Sequence, residues 1–156
     1  MVKNNRKVNL IGRILFLLYM GLALYFMFFS ETLDRKTISD DYRYNLEIGH
    51  EIRRFWNMRY TYGWHVTLIN LLGNVVCFIP FGFLFPTLSY KRGYKNGITV
   101  TLLAAVFSVL IETAQLIAKV GAFDVDDIIL NTLGCIIGYL IFVIGRSLVK
   151  GKKRKR

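Results

Sequence analysis

The sequence contains few of the residues on which metal centres, redox sites and disulfide scaffolds depend. Among its 156 residues are two cysteines, two histidines and two prolines. Cys77 and Cys135 have no neighbours at metal-ligand spacing, and isolated cysteines in apolar segments usually serve packing. His50 and His65 form no metal motif either. Because the chain also lacks a phosphate-binding loop, a nucleophile elbow and an internal repeat, we predict no metal and no cofactor, and we assign no catalytic residue.

Polar surface is also scarce. Hydrophobic residues make up 54% of the chain, and its mean hydropathy is +0.40. A soluble domain of this composition would have too little polar surface to cover its core. No Gly/Ser-rich linker divides the chain, so we predict a single membrane domain over residues 1–156.

Four apolar stretches approach the roughly 20 residues that a helix needs to cross a bilayer. The first is longer than the apolar core of a signal peptide and is not followed by a small-residue cleavage site, which favours an uncleaved anchor. We predict an all-α membrane protein with a bundle of four transmembrane helices and an outer interfacial loop or helix between the first and second. The predicted spans are residues 10–29, 67–88, 97–118 and 128–149.

The net charge of +11 is unevenly placed. The two ends of the chain and the connection between the second and third spans carry 14 basic residues and no acidic one, whereas the other two connections mix seven basic with nine acidic residues. By the positive-inside rule, both termini of this multi-pass plasma-membrane protein face the cytoplasm. The basic tail then meets anionic lipid, and nucleic-acid binding is not predicted.

The predicted outer loop, residues 30–66, is rich in aromatic and charged residues. Apolar residues recur at near-helical spacing between Tyr42 and Met58. Such a segment can lie along the membrane interface with its rings toward lipid. The alternative is a solvated loop with a short helix. Trp64 and its neighbours, at the start of the second span, are typical of an aromatic belt.

Polar side chains recur along one face of three predicted spans. Residues four or three apart share a face of a helix, and this spacing holds for Asn70 and Asn74, for Glu112 and Gln115, and for Asp127 and Asn131. Given the topology, Asn74 and Glu112 both lie roughly 9–10 Å below the outer surface. Polar groups at membrane depth are costly and often functional. The candidate ligand-binding residues are Asn70, Asn74, Glu112, Gln115, Asp124, Asp127 and Asn131.

Several of these residues have more than one interpretation. One or more of Asp124, Asp126 and Asp127 are expected to cap the fourth helix. Glu112 is either a buried carboxyl bonded to Asn74 or Asn131, a carboxylate at the base of an outward-facing pocket, or a general acid/base acting with Asp127. The sequence leaves these three roles open.

Gly134 and Gly138 form a small-x-x-x-small pair on the fourth span, with Gly145 one helical repeat later. Such spacing lets a neighbouring helix approach closely. We interpret the pair as a site of intramolecular packing, with a dimer face as the alternative.

Three segments together resemble the VanZ-like membrane protein family. They are residues 70–82 (NLLGNVVCFIPFG), 111–115 (IETAQ) and 121–134 (GAFDVDDIILNTLG), which match in order and spacing across residues 67–139. Two positions depart from the family pattern. Gly121 stands where many relatives have a basic residue, and the Pro-Phe that often follows Asn45-Leu46 is absent.

The resemblance implies a small helical membrane protein of bacteria, often Gram-positive, and an association with low-level resistance to teicoplanin, a lipid-tailed glycopeptide antibiotic. It also implies a functional role for the residues that match polar positions of the family motif, which are Asn74, Glu112, Gln115, Asp124, Asp127 and Asn131. The family name supplies a phenotype and no reaction.

The leading hypothesis is a membrane protein whose outward polar pocket binds a lipoglycopeptide or a lipid-linked wall precursor, with Trp56 and Trp64 near its acyl or glycan part. One alternative is a membrane enzyme that modifies an envelope lipid or wall precursor. Another is a structural or accessory subunit. The predicted partner is membrane lipid, and the oligomeric state is left open.

Overall fold

The computed structural model describes residues 2–29, 41–88 and 96–154; inside the helices, the side chains of Asn70 and of some residues near the helix ends are outside the description. Five helices and two short strands follow one another along this part of the chain. They are α1 (Val2–Phe29), β1 (Arg43–Asn45), α2 (His50–Tyr62), α3 (Trp64–Leu84), α4 (Gly97–Ala118), β2 (Ala122–Asp124) and α5 (Val125–Arg154), with a 3₁₀ turn at Phe85–Thr87 after α3.

Four of the helices are long and apolar enough to cross a membrane, which confirms the predicted helical membrane bundle. Their candidate spans are Leu10–Phe28, Thr67–Thr87, Gly97–Ala118 and Val125–Val149. The fourth begins earlier than residue 128 because Asp124 caps it: the Asp124 carboxylate accepts the N–H of Asp126 at 2.8 Å. Asp126 and Asp127 therefore lie in the first turn of α5, where the helix dipole favours negative charge.

Glycines bring α3 and α5 into close contact. A Cβ added to Gly134 or Gly138 would overlap the backbone carbonyl of Val75 or Ile79, and one added to Gly82 would overlap that of Cys135. Only hydrogen in place of a side chain allows the two backbones to lie so near each other. The interpretation of Gly134 and Gly138 as an intramolecular packing site is thus confirmed, whereas a Cβ on Gly145 would meet nothing within 4 Å.

Aromatic rings fill the space between α1, α3 and α4. The ring of Phe81 stacks on Phe85, with centroids 5.3 Å apart, and on Phe107 at 5.8 Å, while Phe16 of α1 meets Phe81 edge-on at 5.6 Å. The Tyr19 hydroxyl, also on α1, donates to the Cys77 carbonyl oxygen at 2.9 Å. These contacts attach α1 along one side, and its other side exposes large apolar residues of the kind that face lipid.

The two strands join distant parts of the chain at one end of the bundle. β1 pairs in parallel with β2, with Tyr44 opposite Phe123 and Asn45 opposite Asp124. Helix α2 follows β1 and leads through Gly63 (φ 86°) into α3. The Thr67 hydroxyl donates to the Phe55 carbonyl oxygen at 3.2 Å and holds α2 against α3. We call this part of the molecule, with β1, β2, α2 and the adjoining helix ends, the sheet end.

Candidate functional site: a buried polar network at the sheet end

The network begins at Glu112, one turn above Ser108 on α4. Helix α4 ends at Ala118, and the left-handed backbone of its C-cap Lys119 (φ 56°) turns the chain back. The following strand, β2, then passes beside α4. The backbone N–H of Asp124 then donates to Glu112 Oε2 at 3.2 Å. Glu112 is 1% exposed, so its carboxyl orients β2 from the protein interior. This partner was not predicted from the sequence.

Asp124 connects β2, α5 and β1. Besides capping α5, its carboxylate accepts from the Asn45 side-chain amide at 3.3 and 3.4 Å. Burial raises the pKa of the Asp124 carboxyl above its ordinary value, although the bonds from Asp126 and Asn45 act in the opposite direction. The predicted capping of α5 by one of the aspartates is confirmed for Asp124.

Asp126 performs a second capping function that sequence reasoning missed. Its carboxylate accepts three backbone N–H groups at the start of α2, from Gly49 at 2.6 Å, Glu51 at 2.9 Å and Ile52 at 3.3 Å. These are donors that a helix leaves without an intrahelical partner. A carboxylate of α5 therefore serves as the N-terminal cap of α2. The available signal was three aspartates within four residues, which is more than one helix start requires.

Beside this cap, Glu51 lies in the first turn of α2 and is paired with Arg54 at 2.7 Å. Burial raises the pKa of the Glu51 carboxyl, and the positive charge of Arg54 partly opposes that shift. Two partly or fully buried carboxyls with raised pKa values, Glu51 and Asp124, thus lie at the sheet end.

Gln115 and Asn131 form hydrogen bonds between spanning helices, farther from the sheet end than the two strands. The Gln115 side-chain amide donates to the Met27 carbonyl oxygen at 2.7 Å. This oxygen is in the last turn of α1, where carbonyls lack intrahelical donors. The Asn131 amide donates to the Ser108 hydroxyl at 2.8 Å, while Asn131 Oδ1 is buried without a hydrogen-bond partner. Each of the two amides thus fixes one helix against another.

Asn74 and Asp127 form a half-buried pair between α3 and α5, in which the Asn74 amide donates to Asp127 Oδ1. Asn70 lies one turn before Asn74 on α3, but its side chain is outside the described residues. The fold therefore gathers the predicted residues at one end of the bundle. Four of them are buried, and Asn74 and Asp127 are the more accessible members; the buried ones are Glu112, Gln115, Asp124 and Asn131.

The network holds hydrogen-bond donors and acceptors but no assembled metal centre: within the described ranges, no group of three or more His, Cys, Asp or Glu residues is placed to hold a metal ion. Its bonds connect backbone groups of β2, α2 and α1 to side chains of α4 and α5. The arrangement can fix the connections at the sheet end relative to the spans, and it presents the Asn74–Asp127 pair beside them.

Four membrane-length helices with a polar network at one end define a small helical membrane protein. The family model described as VanZ/LLP1 matches residues 16–146, and the chain therefore belongs to the VanZ/LLP1 family. Protein VanZ of Enterococcus faecium is 31% identical over 86 residues, which is 55% of this chain and 52% of that protein. The match thus spans about half of the length of this curated relative. No solved structure matches the chain significantly.

Proposed function

We propose that this protein is a multi-pass plasma-membrane protein that lowers the susceptibility of a bacterium to teicoplanin. It does so by engaging a lipid-tailed amphiphile at the sheet end, either the antibiotic itself or a lipid-linked wall precursor. Membership of the VanZ/LLP1 family and the similarity to protein VanZ of Enterococcus faecium support this proposal.

The distribution of charge supports an outward orientation of the sheet end. Four spans place the two chain termini on the same side of the membrane, and the connection between α3 and α4 lies on that side too. These segments carry 14 basic residues without an acidic one, as is typical of cytoplasmic segments. The sheet end is then on the outside, where a glycopeptide or an exposed wall precursor is encountered.

The observation that carries the proposal is the difference in burial within the network. Glu112, Asp124 and Asn131 are at most 5% exposed and bonded inside the protein, so they set the shape of the site. The half-buried pair of Asn74 and Asp127 is the more exposed part of the network, so we propose that the ligand meets the network at this pair. An amide and a carboxylate at membrane depth offer a donor and an acceptor to a polar head group.

The proposal is tested by teicoplanin susceptibility in a sensitive Gram-positive host. Wild type, Glu112→Gln and Asp127→Asn are compared at equal membrane abundance, with vancomycin, which lacks the lipid tail, as the control antibiotic. We expect protection against teicoplanin by the wild type and its loss in both variants. Glu47→Gln removes an exposed carboxylate at the same end and is expected to protect like the wild type.

The alternatives give different results. Full protection by both network variants at matched abundance would contradict the proposed role of the network. A membrane enzyme would leave a chemically altered lipid or precursor in expressing cells, which mass spectrometry of lipid extracts detects. A purely structural role predicts that Glu112→Gln lowers the melting temperature in detergent and reduces protection only as far as it reduces the amount of folded protein.

A further inference from the structure

A second polar feature of the sheet end lies outside the network, in the last turn of α2. The guanidinium carbon of Arg59 lies 4.7 Å from the ring centre of Trp56, 4.2 Å from that of Tyr60 and 5.7 Å from that of Trp64. The two indoles meet edge to face with centroids 5.6 Å apart. We call these four residues the Arg59 cluster. Stacking a guanidinium on aromatic faces holds it in a fixed orientation.

Arg59 differs from the other arginines of α2 in its charge balance. Arg53 lies 3.8 Å from Glu47, and Arg54 lies 2.7 Å from Glu51. Among the described residues, no carboxylate is within 4.0 Å of Arg59. Its positive charge is therefore not neutralised by the part of the chain that the structure describes.

Arg59 has more N–H donors than its hydrogen bonds use. One terminal nitrogen donates to the Trp56 carbonyl oxygen, which is a common interaction at a helix C-terminus, and the other donates to the Tyr60 hydroxyl at 3.1 Å. Nε is buried without a partner. A guanidinium has five N–H groups, so the helix-end interaction accounts for only part of its donor capacity.

The cluster lies just before a candidate membrane span, where a membrane interface is expected. Trp64 is the first residue of α3, and the candidate span begins three residues later at Thr67. Trp56 is 51% exposed and Trp64 is 47% exposed. Tryptophan and tyrosine rings at the end of a spanning helix lie at the level of the lipid head groups.

We propose that the Arg59 cluster is a binding site for the head group of an anionic phospholipid. The guanidinium pairs with the phosphate, for which its planar fork is well suited, and the exposed indole rings lie against the adjoining part of the lipid. The charge of Arg59 favours a head group with a net negative charge over a zwitterionic one. The inference rests on the membrane orientation in the proposed function, but it requires neither the antibiotic nor the buried network.

Trp56 and Trp64 are the only two tryptophans of the sequence, so tryptophan emission reports on this cluster directly. The purified full chain is reconstituted in vesicles of phosphatidylglycerol and phosphatidylcholine in equal amounts. In one preparation the phosphatidylglycerol carries brominated acyl chains, and in the other the phosphatidylcholine does. Bromine quenches nearby tryptophan, so the ratio of the two quenching efficiencies measures which lipid occupies the site.

We expect a preference of about fivefold for phosphatidylglycerol, the equivalent of ~1 kcal/mol for one arginine near a membrane surface. Arg59→Gln should bring the ratio close to one. Arg53→Gln, on the same helix, should leave the preference as in the wild type. Emission in unbrominated vesicles corrects each variant for changes in the indole surroundings.

Equal quenching by the two lipids in the wild type would overturn the proposal without recourse to any variant. The preference could also survive in Arg59→Gln, or be lost equally in Arg53→Gln. Either result would assign the lipid preference to the general basic charge of the protein and overturn the proposal. Inorganic phosphate added at constant ionic strength should not relieve the quenching; full relief would show that the site prefers free phosphate and would overturn the lipid as its ligand. Because no antibiotic is present, failure here and failure of the susceptibility test are distinguishable.

Discussion

Asp124 shows how a carboxyl is retained next to an apolar bundle. Its side chain is 5% exposed, and transfer from water disfavours its charged form. The Asp124 carboxylate caps α5 and accepts a hydrogen bond from the Asn45 amide, and the Asp124 backbone N–H donates to the Glu112 carboxyl. One residue thus serves three elements, and its removal from water is reflected in its raised pKa.

This raised pKa predicts a dependence of stability on pH. The folded protein binds the Asp124 proton more tightly than the unfolded chain does, whose aspartate pKa is about 4. The free energy of unfolding therefore falls as the pH rises from about 4 through the raised pKa. We expect the melting temperature in detergent to decrease across this window, with Glu51 acting in the same direction.

In Asp124→Asn, which can still cap a helix, the decrease should be smaller. Glu47→Gln, at an exposed position, should keep the slope of the wild type. Equal slopes for wild type and Asp124→Asn would show that Asp124 does not contribute to the pH dependence.

At the scale of elements, the close contact between α3 and α5 depends on glycines, which have no side chain. Gly134→Ala would place a methyl group on the Val75 carbonyl, and two packed backbones cannot both stay in place. We expect the free energy of unfolding to fall by about 1–3 kcal/mol, as for other insertions into a packed core. The measurement is a lower midpoint of thermal unfolding in detergent.

The matched control for this substitution is Gly73→Ala on α3, where an added Cβ meets nothing within 4 Å. Alanine is a better helix former than glycine, so this variant should be as stable as the wild type or slightly more stable. Equal effects of the two substitutions would contradict the glycine contact as the reason for the close approach.

Helix α2 depends on contacts with other helices. It has 13 residues, close to the length below which an isolated helix is marginal in water. Its N-terminus is capped by Asp126 of α5, and the Thr67 hydroxyl of α3 bonds to its Phe55 carbonyl. Its position is thus set by contacts with two spanning helices, α3 and α5.

For the whole molecule, the separation of the basic residues from the polar network predicts the orientation. A cysteine introduced at the exposed Glu47 should react with a membrane-impermeant maleimide in intact cells, because the sheet end is expected outside. A cysteine at Lys152, beyond the fourth span, should react only after permeabilisation. Cys77 and Cys135 lie within spanning helices, so the unmodified chain is the background control. The reverse labelling pattern would overturn the proposed topology.

The spans were predictable from the sequence because crossing a bilayer needs a long apolar run, and such runs are local. The paired glycines and the polar stripes were predictable for the same reason, since residues three and four apart share a helix face. Local patterns therefore established the helical membrane class, the number of spans and the residues that merit attention.

The partners of the polar residues were decided by the tertiary structure. Asp126 caps a helix that begins some 75 residues earlier in the chain, and Gln115 bonds to a carbonyl 88 residues away. The left-handed turn at Lys119 and the pairing of β1 with β2 bring Asp126 to the start of α2, and the packing of α1 against the bundle brings Met27 to Gln115. A hydrogen bond requires a donor and an acceptor within about 3 Å, and for residues so far apart in the chain that distance is set by the packing of the whole bundle.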